Sequence, residues 1–367
     1  MAGSGTAHLR DAAGAMIRAE NLVVEYPAPR GRRVHAVSDV SFDVYPGETL
    51  GIVGESGSGK TTTGRAVLVL PRPDRGRVFL EGSEITALTG DALRAVRTKL
   101  QVIFQNPISS LYPRRTIADL VTEPLAIWGI GSPAERTERA RAMLGEVNLD
   151  YDTVSWRRPH EFSIGQCQRI SIARALMLNP KVVVCDEPVS ALDVSVQAQI
   201  LNLLEDMKLR YGLTLIFISH DLAVVKNVSD RVVVMFLGKL CEVAGSETIF
   251  AQPAHPYTRA LLMASVITSR ALTPGAGPGP GPGPGLGLGA LVAGEAEQST
   301  EMPSSISPPS GCRYRTRCPR AQGVCAVQEP LMREIGRDHF VACHFPIVNL
   351  EPKVTGLGSL SSTLSPK

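Results

Sequence analysis

Short continuous runs of aliphatic residues alternate along the chain with segments of helical periodicity. The aliphatic runs occupy residues 50–53, 182–185, 213–218 and 232–236. They are rich in Val, Ile and Leu, which is typical of strands buried on both faces of a sheet. Helical spacing of apolar residues is found over residues 61–70, 167–178 and 196–209. Strands that alternate with helices predict an α/β fold with a largely parallel sheet.

This regular pattern ends near residue 266, where the composition changes. Residues 275–289 are almost entirely Gly and Pro, and a Ser/Pro-rich stretch continues to residue 310. Such a sequence predicts a linker without a core. Gly recurs at every second position there, which excludes a collagen helix because that helix needs Gly at every third. The predicted organisation is a disordered tail (1–16), a main domain (17–266), a linker (267–310), a small cysteine-bearing module (311–347) and a second tail (348–367).

The composition narrows the possible partners and location. The 367 residues are 44% hydrophobic, and 38 basic against 35 acidic side chains give a formal net charge of only +3. This balance provides no electrostatic reason to expect nucleic acid as a partner. No apolar run reaches the roughly 18 residues of a membrane span, and charges interrupt the N-terminal stretch where a secretory signal would lie. We therefore expect the chain in the cytoplasm.

A phosphate-binding loop is the strongest motif. Residues 54–61 match the pattern G-x-x-x-x-G-K-[ST], between a predicted strand and a predicted helix. Small residues let backbone N–H groups converge on phosphates, and the helix N-terminus adds partial positive charge. Lys60 is expected to reach the β- and γ-phosphates, and the Thr61 hydroxyl to bind Mg²⁺. The predicted nucleotide-binding residues of this segment are Gly54, Glu55, Ser56, Gly57, Ser58, Gly59, Lys60, Thr61 and Thr62.

Two carboxylates follow the predicted strand at residues 182–185. Asp186 stands where a strand tip beside a phosphate loop would hold Mg²⁺. Glu187 is then free to act as general base towards the attacking water. An acidic turn that caps the next helix is the alternative, but a preceding phosphate loop favours the catalytic interpretation.

Further motifs in this order resemble the ABC ATPases. Residues 162–166 (Phe-Ser-Ile-Gly-Gln) resemble the LSGGQ signature, and residues 190–193 (Ser-Ala-Leu-Asp) resemble the D-loop. Gln105 resembles the Q-loop glutamine, His220 the switch histidine, and Tyr26 the aromatic residue that stacks on adenine. The resemblance implies a P-loop NTPase of ABC type, with a mostly parallel core sheet, an antiparallel β subdomain and a helical subdomain.

The resemblance also implies ATP hydrolysis by head-to-tail pairs of subunits. Glu187 and His220 are the implied catalytic residues, and Thr61, Gln105 and Asp186 the implied Mg²⁺ ligands. Ser163, Gly165 and Gln166 would contact ATP held by a partner subunit, since a helix beginning near Gly165 presents free N–H groups. The implied ligands are thus ATP and Mg²⁺.

Sequence beyond the cassette resembles one branch of importers. Residues 253–262, 308–321 and 342–346 look like the C-terminal extension of oligopeptide, dipeptide and nickel importer ATPases. Residues 109–113 and 158–162 look closer to the second ATPase of the dipeptide and oligopeptide permeases. This implies two membrane permeases, a second ATPase (the same chain or a paralogue) and an external solute-binding protein, with the chain peripheral on the cytoplasmic face of the membrane. The alternative is the ATPase of a non-transport ABC system or of another solute transporter.

One departure from the family pattern lies in the signature. Ile164 stands where the family has Gly. Gly permits close approach and positive φ, whereas a β-branched residue resists positive φ and adds bulk beside a phosphate. We expect the composite site that uses this signature to be weakened.

Four cysteines after the linker form a separate candidate site. Cys312, Cys318, Cys325 and Cys343 lie within a segment too small to bury a sizeable core, and such segments often need a metal. Their spacing is wider than the paired knuckles of zinc sites, although His339 and His344 could complete a zinc site. Four thiolates also suit an iron–sulfur cluster, and the resembled family implies a [4Fe–4S] cluster here. Reduced structural thiols are the third possibility.

Overall fold

The computed structural model of the protein describes residues 5–271 and 302–347. The predicted second tail (348–367) and most of the predicted linker lie outside these residues. Within the described chain, two sheets and the helices around them form the fold. The strands are β1 (Ile17–Pro27), β2 (Arg33–Val44), β3 (Thr49–Val53), β4 (Arg75–Leu80), β5 (Ser83–Glu84), β6 (Leu100–Ile103), β7 (Val182–Asp186), β8 (Thr214–Ser219), β9 (Arg231–Phe236), β10 (Lys239–Gly245), β11 (Arg333–Gly336) and β12 (His339–Val341).

The larger sheet has the strand order β11-β12-β10-β9-β3-β8-β7-β6. Its central strands β9, β3, β8, β7 and β6 are parallel, and β10, β12 and β11 are joined antiparallel at one edge. β3, β7 and β8 are buried along their whole length. The four aliphatic runs that predicted strands are thus confirmed as β3, β7, β8 and β9, each within one residue at either end.

Alternate side chains of the central strands enter two different cores. Val182 and Val184 of β7 pack towards β1 and β2, whereas Val183 and Cys185 pack towards the helices. Both faces of the sheet are therefore apolar, which is why the sequence shows continuous aliphatic runs instead of alternation. This double burial fixes the carboxyl ends of β3 and β7 beside each other.

The smaller sheet is antiparallel, with the order β2-β1-β4-β5. It provides the antiparallel β subdomain that the resemblance implied. Its inner face contributes Ile17, Leu22, Val24 and Phe42 to the core. Tyr26, near the end of β1, stays partly exposed at 37%.

The α-helices of the described residues are α1 (Lys60–Val67), α2 (Gly90–Val96), α3 (Pro107–Ser110), α4 (Ile117–Ile127), α5 (Pro133–Glu146), α6 (Tyr151–Val154), α7 (Ile164–Leu176), α8 (Val194–Tyr211), α9 (Leu222–Val228), α10 (Ser246–Ala251), α11 (Pro256–Ala271) and α12 (Gly323–Val327). α1 and α2 pack on the same face of the larger sheet as the smaller sheet, and most of the other helices pack on the opposite face. Several of these, which lie between β6 and β7 in the sequence, form a separate layer. α3 to α7 form the helical subdomain, with Leu120, Leu144 and Ile170 in its core. α4, α5 and α7 each begin with a capping box. The cap side chains stabilise these helix ends because they satisfy backbone N–H groups that would otherwise be free.

The N-terminal segment corrects one prediction. Residues 5–16 are packed and not disordered: the His8 ring bonds the Ser41 carbonyl at 2.6 Å, and Arg10 reaches the buried Asp43 at 2.9 Å. Arg231 bonds the same carboxylate, so Asp43 is surrounded by cations. The charges that interrupt this stretch in the sequence are the groups that attach it to the fold.

The C-terminal segment also differs from expectation. β12 pairs with β10, so the cysteine-bearing residues join the main sheet instead of folding as an independent unit. Residues 302–310, assigned to the linker from composition, are part of the packed structure: Met302 contacts the core and the Ser305 carbonyl accepts the His35 N–H at 2.9 Å. In the described residues, every helix is too short or too polar to cross a membrane.

Candidate active site

The phosphate loop connects β3 to α1, as the sequence predicts. Gly59 has φ +101°, and a Cβ there would lie 2.3 Å from the Ala36 carbonyl oxygen. Only glycine fits this combination of positive φ and close backbone approach. The loop therefore curves tightly around the N-terminus of α1, where free N–H groups favour anions.

Lys60 begins α1 and is buried under the loop. Its ammonium donates to the Gly54 carbonyl at 2.7 Å and the Glu55 carbonyl at 2.9 Å. Burial lowers the pKa of Lys60, against an opposing effect of the carboxylates of Glu187, Asp186 and Glu55. Bound phosphates would favour the charged ammonium in the same way as these carboxylates.

Thr61 and Asp186 meet across the tips of β3 and β7. The Thr61 hydroxyl donates to the Asp186 carboxylate at 2.7 Å, and Arg65 lies 3.4 Å from the other carboxylate oxygen. Asp186 is only 2% exposed. A hydroxyl and a carboxylate are oxygen ligands of the kind that Mg²⁺ prefers, so this pair fits the implied metal site.

Glu187 occupies the next position and points into the cleft. The Gln105 side-chain amide donates to one carboxylate oxygen at 2.8 Å, and His220 Nδ1 lies 3.2 Å from the other. Glu187 itself has φ +48°, a conformation that is strained for a residue with a side chain and occurs most often at functional sites. The backbone thus turns Glu187 away from its buried neighbour Asp186.

The site residues predicted from sequence divide into three groups. A cleft of about 680 Å³ brings ten of them together, and the buried Asp186 is bonded to one of these, Thr61. The predicted residues that line the cleft are Tyr26, Ser56, Gly57, Gly59, Lys60, Thr61, Thr62, Gln105, Glu187 and His220. Gly54, Glu55 and Ser58 belong to the same loop but face the protein interior or the C-terminal segment.

The signature residues form the second group and lie elsewhere. Ser163 caps α7 through a reciprocal bond with Gln166, and both are exposed. Gly165 packs against α8, where a Cβ would lie 2.6 Å from Val196. Ser163, Gly165 and Gln166 are not among the described residues that line the cleft, so they present a helix N-terminus to the outside.

The four C-terminal cysteines are the third group. Cys312 donates its backbone N–H to the Cys325 carbonyl at 2.8 Å. Burial raises the pKa of Cys343 to about 12, and the thiols of Cys312, Cys318 and Cys325 add to the rise. Burial also raises the pKa of Cys241 in β10, and the thiols of Cys312 and Cys343 add to that rise. The sequence pattern did not indicate Cys241 as a neighbour of these cysteines.

Ser305 is a cleft residue that sequence reasoning missed. It lines the cleft beside Tyr26, together with Val34 and Ala36 of β2. Its composition placed it in the linker, and no motif marks it. Only the fold brings residue 305 back beside residue 35.

Comparisons with known proteins agree with this geometry. Residues 37–190 match the ABC transporter family, and residues 241–287 and 288–325 match the C-terminal region of oligopeptide/dipeptide transporters. A putative peptide import ATP-binding protein of Brucella ovis is 49% identical over 320 residues, covering 86% of this chain and 93% of the relative. The oligopeptide transport ATP-binding protein OppF of Escherichia coli is 46% identical over 313 residues (85% and 88%), and AppF of Bacillus subtilis is 44% identical over 312 residues (85% and 89%).

Solved structures give the same fold for the cassette. A dimeric ATP-binding cassette in a post-hydrolysis state, bound to ADP and phosphate, has a TM-score of 0.58 at 29% identity and covers 63% of this chain and 99% of its own. The CbiO1 component of an ABC transporter complex from Clostridium perfringens also has a TM-score of 0.58, at 25% identity over 71% of this chain and 95% of its own. With its phosphate loop, its signature helix and a C-terminal region that matches that of oligopeptide/dipeptide transporters, the chain belongs to the ABC transporter family as an ATP-binding subunit of the oligopeptide/dipeptide type.

Proposed function

We propose that this chain hydrolyses ATP to power the import of peptides through a membrane transporter. The observation that carries the proposal is Glu187, held between Gln105 and His220 in the cleft that Lys60 and Thr61 also line. A carboxylate with two polar neighbours is suited to orient and deprotonate an attacking water. The C-terminal region shared with peptide import ATP-binding proteins supports peptides as the cargo.

Each polar group of the cleft has a distinct task in this proposal. Lys60 and the loop N–H groups bind the β- and γ-phosphates, and Tyr26 packs on the adenine. Thr61, Asp186 and Gln105 hold Mg²⁺, which when bound neutralises charge on the phosphates. Glu187 takes the proton of the attacking water, and His220 orients that carboxylate.

The proposed partners are supported by the relatives, which are named as peptide import and oligopeptide transport ATP-binding proteins. We propose that two permeases hold the chain at the cytoplasmic side of the membrane, with a second ATPase beside it and a solute-binding protein outside. Purification of the assembled complex tests this. Two integral membrane subunits should co-purify, and peptide-loaded binding protein should stimulate its ATPase. A complex without permeases would contradict the proposed partners, and stimulation by another solute and not by peptides would contradict the proposed cargo.

Ser163, Gly165 and Gln166 are proposed to bind ATP held by the partner ATPase. They sit at the exposed N-terminus of α7, away from the cleft of their own subunit. The free N–H groups of this helix end are suited to a γ-phosphate. The dimeric cassette among the structural relatives supports this pairing.

Ile164 provides a test of the composite site. It lies in the first turn of α7 with ordinary helical φ, so the expected backbone strain is absent from this residue. Its side chain is 41% exposed at the surface that would meet the partner's ATP. We therefore propose that the bulk of Ile164 alone weakens the composite site, and expect Ile164→Gly to raise the ATPase rate of the assembled transporter.

The measurement is steady-state phosphate release by the complex at saturating ATP. Val194→Gly is the matched control, because Val194 is exposed (82%) and, like Ile164, is the first residue of its helix. A glycine deeper within a helix would be destabilising. A rate that Ile164→Gly leaves unchanged would remove Ile164 from the composite site.

We further propose that Cys312, Cys318, Cys325 and Cys343 hold a metal centre, with a [4Fe–4S] cluster as the expected form. The proposal is supported by the burial of these thiols, which is partial or complete, and by their proximity: neighbouring cysteines contribute to the raised pKa of Cys312 and of Cys343. The two histidines that could complete a zinc site have other partners at Nε2. His339 Nε2 lies 2.7 Å from Glu242, and His344 Nε2 lies 3.0 Å from the Gln328 carbonyl. In the described residues, however, the thiols are not gathered into a ready metal-binding group, so loading has to draw them together.

Protein purified without oxygen should be brown and contain iron and sulfide. Cys312→Ser should abolish the colour, whereas Cys167→Ser in α7 should keep it. Bound iron also stabilises thiolates whose pKa burial otherwise raises. A colourless anaerobic preparation with stoichiometric zinc, or with no metal, would contradict the cluster.

A further inference from the structure

Glu55, the second residue of the phosphate loop, is held from the C-terminal segment. The Arg317 guanidinium donates to both Glu55 carboxylate oxygens, at 2.8 and 3.1 Å. The side chains are 17% and 29% exposed, so water screens this pair only in part. Two parallel bonds from a planar guanidinium fix orientation as well as distance.

The backbone of Glu55 is held by α11 of the main domain. Its N–H donates to the Tyr257 hydroxyl at 2.8 Å. Tyr257 is fully buried, with its ring 4.7 Å from Phe236 and 5.3 Å from Tyr314. Phe236 and Tyr314 also lie beneath the Arg317 guanidinium, at 5.7 and 5.9 Å. A packed aromatic cluster thus supports both groups that hold Glu55.

A second connection reaches the middle of the loop. Arg313 donates to the Leu237 carbonyl and, at 2.9 Å, to the Ser38 hydroxyl. The next residue of that turn, Gly238, donates its N–H to the Ser58 carbonyl at 2.8 Å. The loop is therefore connected to the residues around Cys312 and Cys318 at two points, Glu55 and Ser58.

The position of Glu55 affects the groups that bind phosphate. Lys60 donates to the Glu55 carbonyl, and the loop residues Ser56, Gly57 and Gly59 that follow Glu55 line the nucleotide cleft. Phosphate binding depends on donors that are correctly placed before the ligand arrives. A displaced Glu55 would move Lys60 and these donors together.

We propose that Arg317 is a positioning residue for nucleotide binding: through its paired hydrogen bonds to Glu55, the C-terminal segment sets the affinity of the phosphate loop for Mg·ATP. The proposal goes beyond peptide import, because it does not depend on the transported solute. It makes the C-terminal segment part of the ATP site, although Arg317 itself touches no nucleotide.

The test measures Mg·ATP binding to the full chain and the kinetics of the assembled complex. Arg317→Ala should raise the Kd and KM for Mg·ATP at least about fivefold, the lower end of ordinary coupling between sites. The kcat at saturating ATP should change little, because Glu187 and its neighbours stay in place. Arg317→Lys should recover part of the affinity, since it keeps the charge and loses the paired geometry.

Glu55→Gln separates positioning from loss of folding. It removes the charge and one of the two accepted bonds from the other side, so Arg317→Ala combined with Glu55→Gln should bind Mg·ATP no more weakly than the weaker single variant. Arg320→Ala, an exposed change on the same segment, should bind as the unaltered chain does. Additive losses in the double variant, or unchanged affinity in a folded Arg317→Ala, would overturn the proposal. Either result would leave the peptide-import proposal untouched.

Discussion

Glu187→Gln is expected to lower the ATPase rate of the assembled transporter by about 10²- to 10⁴-fold, the usual contribution of a general base. The amide keeps the shape of the side chain and can still accept the bond from Gln105, but it cannot take a proton from water. Mg·ATP binding should persist because Lys60, Thr61 and Asp186 are unchanged. The variant should therefore accumulate with ATP bound and the two ATPase subunits closed.

Two measurements check this expectation. Phosphate release gives the turnover, and nucleotide retained after rapid gel filtration shows whether ATP stays bound. Glu138→Gln, a 74% exposed carboxylate on α5, makes the same chemical change away from the cleft and should behave as the unaltered chain. Full steady-state turnover in Glu187→Gln would exclude Glu187 as the base.

Lys60→Ala is expected to fail at an earlier step. Hydrogen bonds to charged groups contribute about 1.5–3 kcal/mol each, so loss of the ammonium should weaken Mg·ATP binding roughly 10- to 100-fold. Turnover should fall because the nucleotide is not held. Equilibrium binding of Mg·ATP to the purified full chain measures the effect directly.

Lys60 also bonds two loop carbonyls in the structure, so stability must be measured in parallel. Thermal unfolding of the nucleotide-free chain should show only a modest change. Lys181→Ala, whose side chain is 47% exposed, controls for the loss of a lysine alone. Unaltered Mg·ATP affinity in a folded Lys60→Ala would contradict its assignment to the phosphates.

The sequence predicted the cassette well because its information is local. A phosphate loop must follow a strand and begin a helix, and residues 54–61 do so at β3 and α1. Strands buried on both faces are expected to be continuously apolar between their ends, and β7 and β8 are. Asp186 and Glu187 follow such a strand, which places them at the edge of the sheet where β3 also ends.

Contacts between distant segments could not be predicted in this way. Composition assigned residues 302–310 to a linker, yet Ser305 lines the nucleotide cleft. The N-terminal charges hid a structured segment, because Arg10 finds its partner Asp43 only in the folded sheet. The φ of Ile164 is ordinary because this residue lies in the first turn of a capped helix, which the signature motif alone does not indicate.

The pairing of β12 with β10 has a consequence during synthesis. A nascent chain that ends before residue 302 lacks β12, which leaves β10 without its neighbour on that side. Unpaired strand edges recruit other strands and promote aggregation, and here Glu242 would also lose its buried partner His339. β10 and β12 are far apart in the sequence, and bringing such distant strands together costs conformational entropy and slows folding. Nascent chains would therefore be substrates for chaperones and proteases until their last strands leave the ribosome.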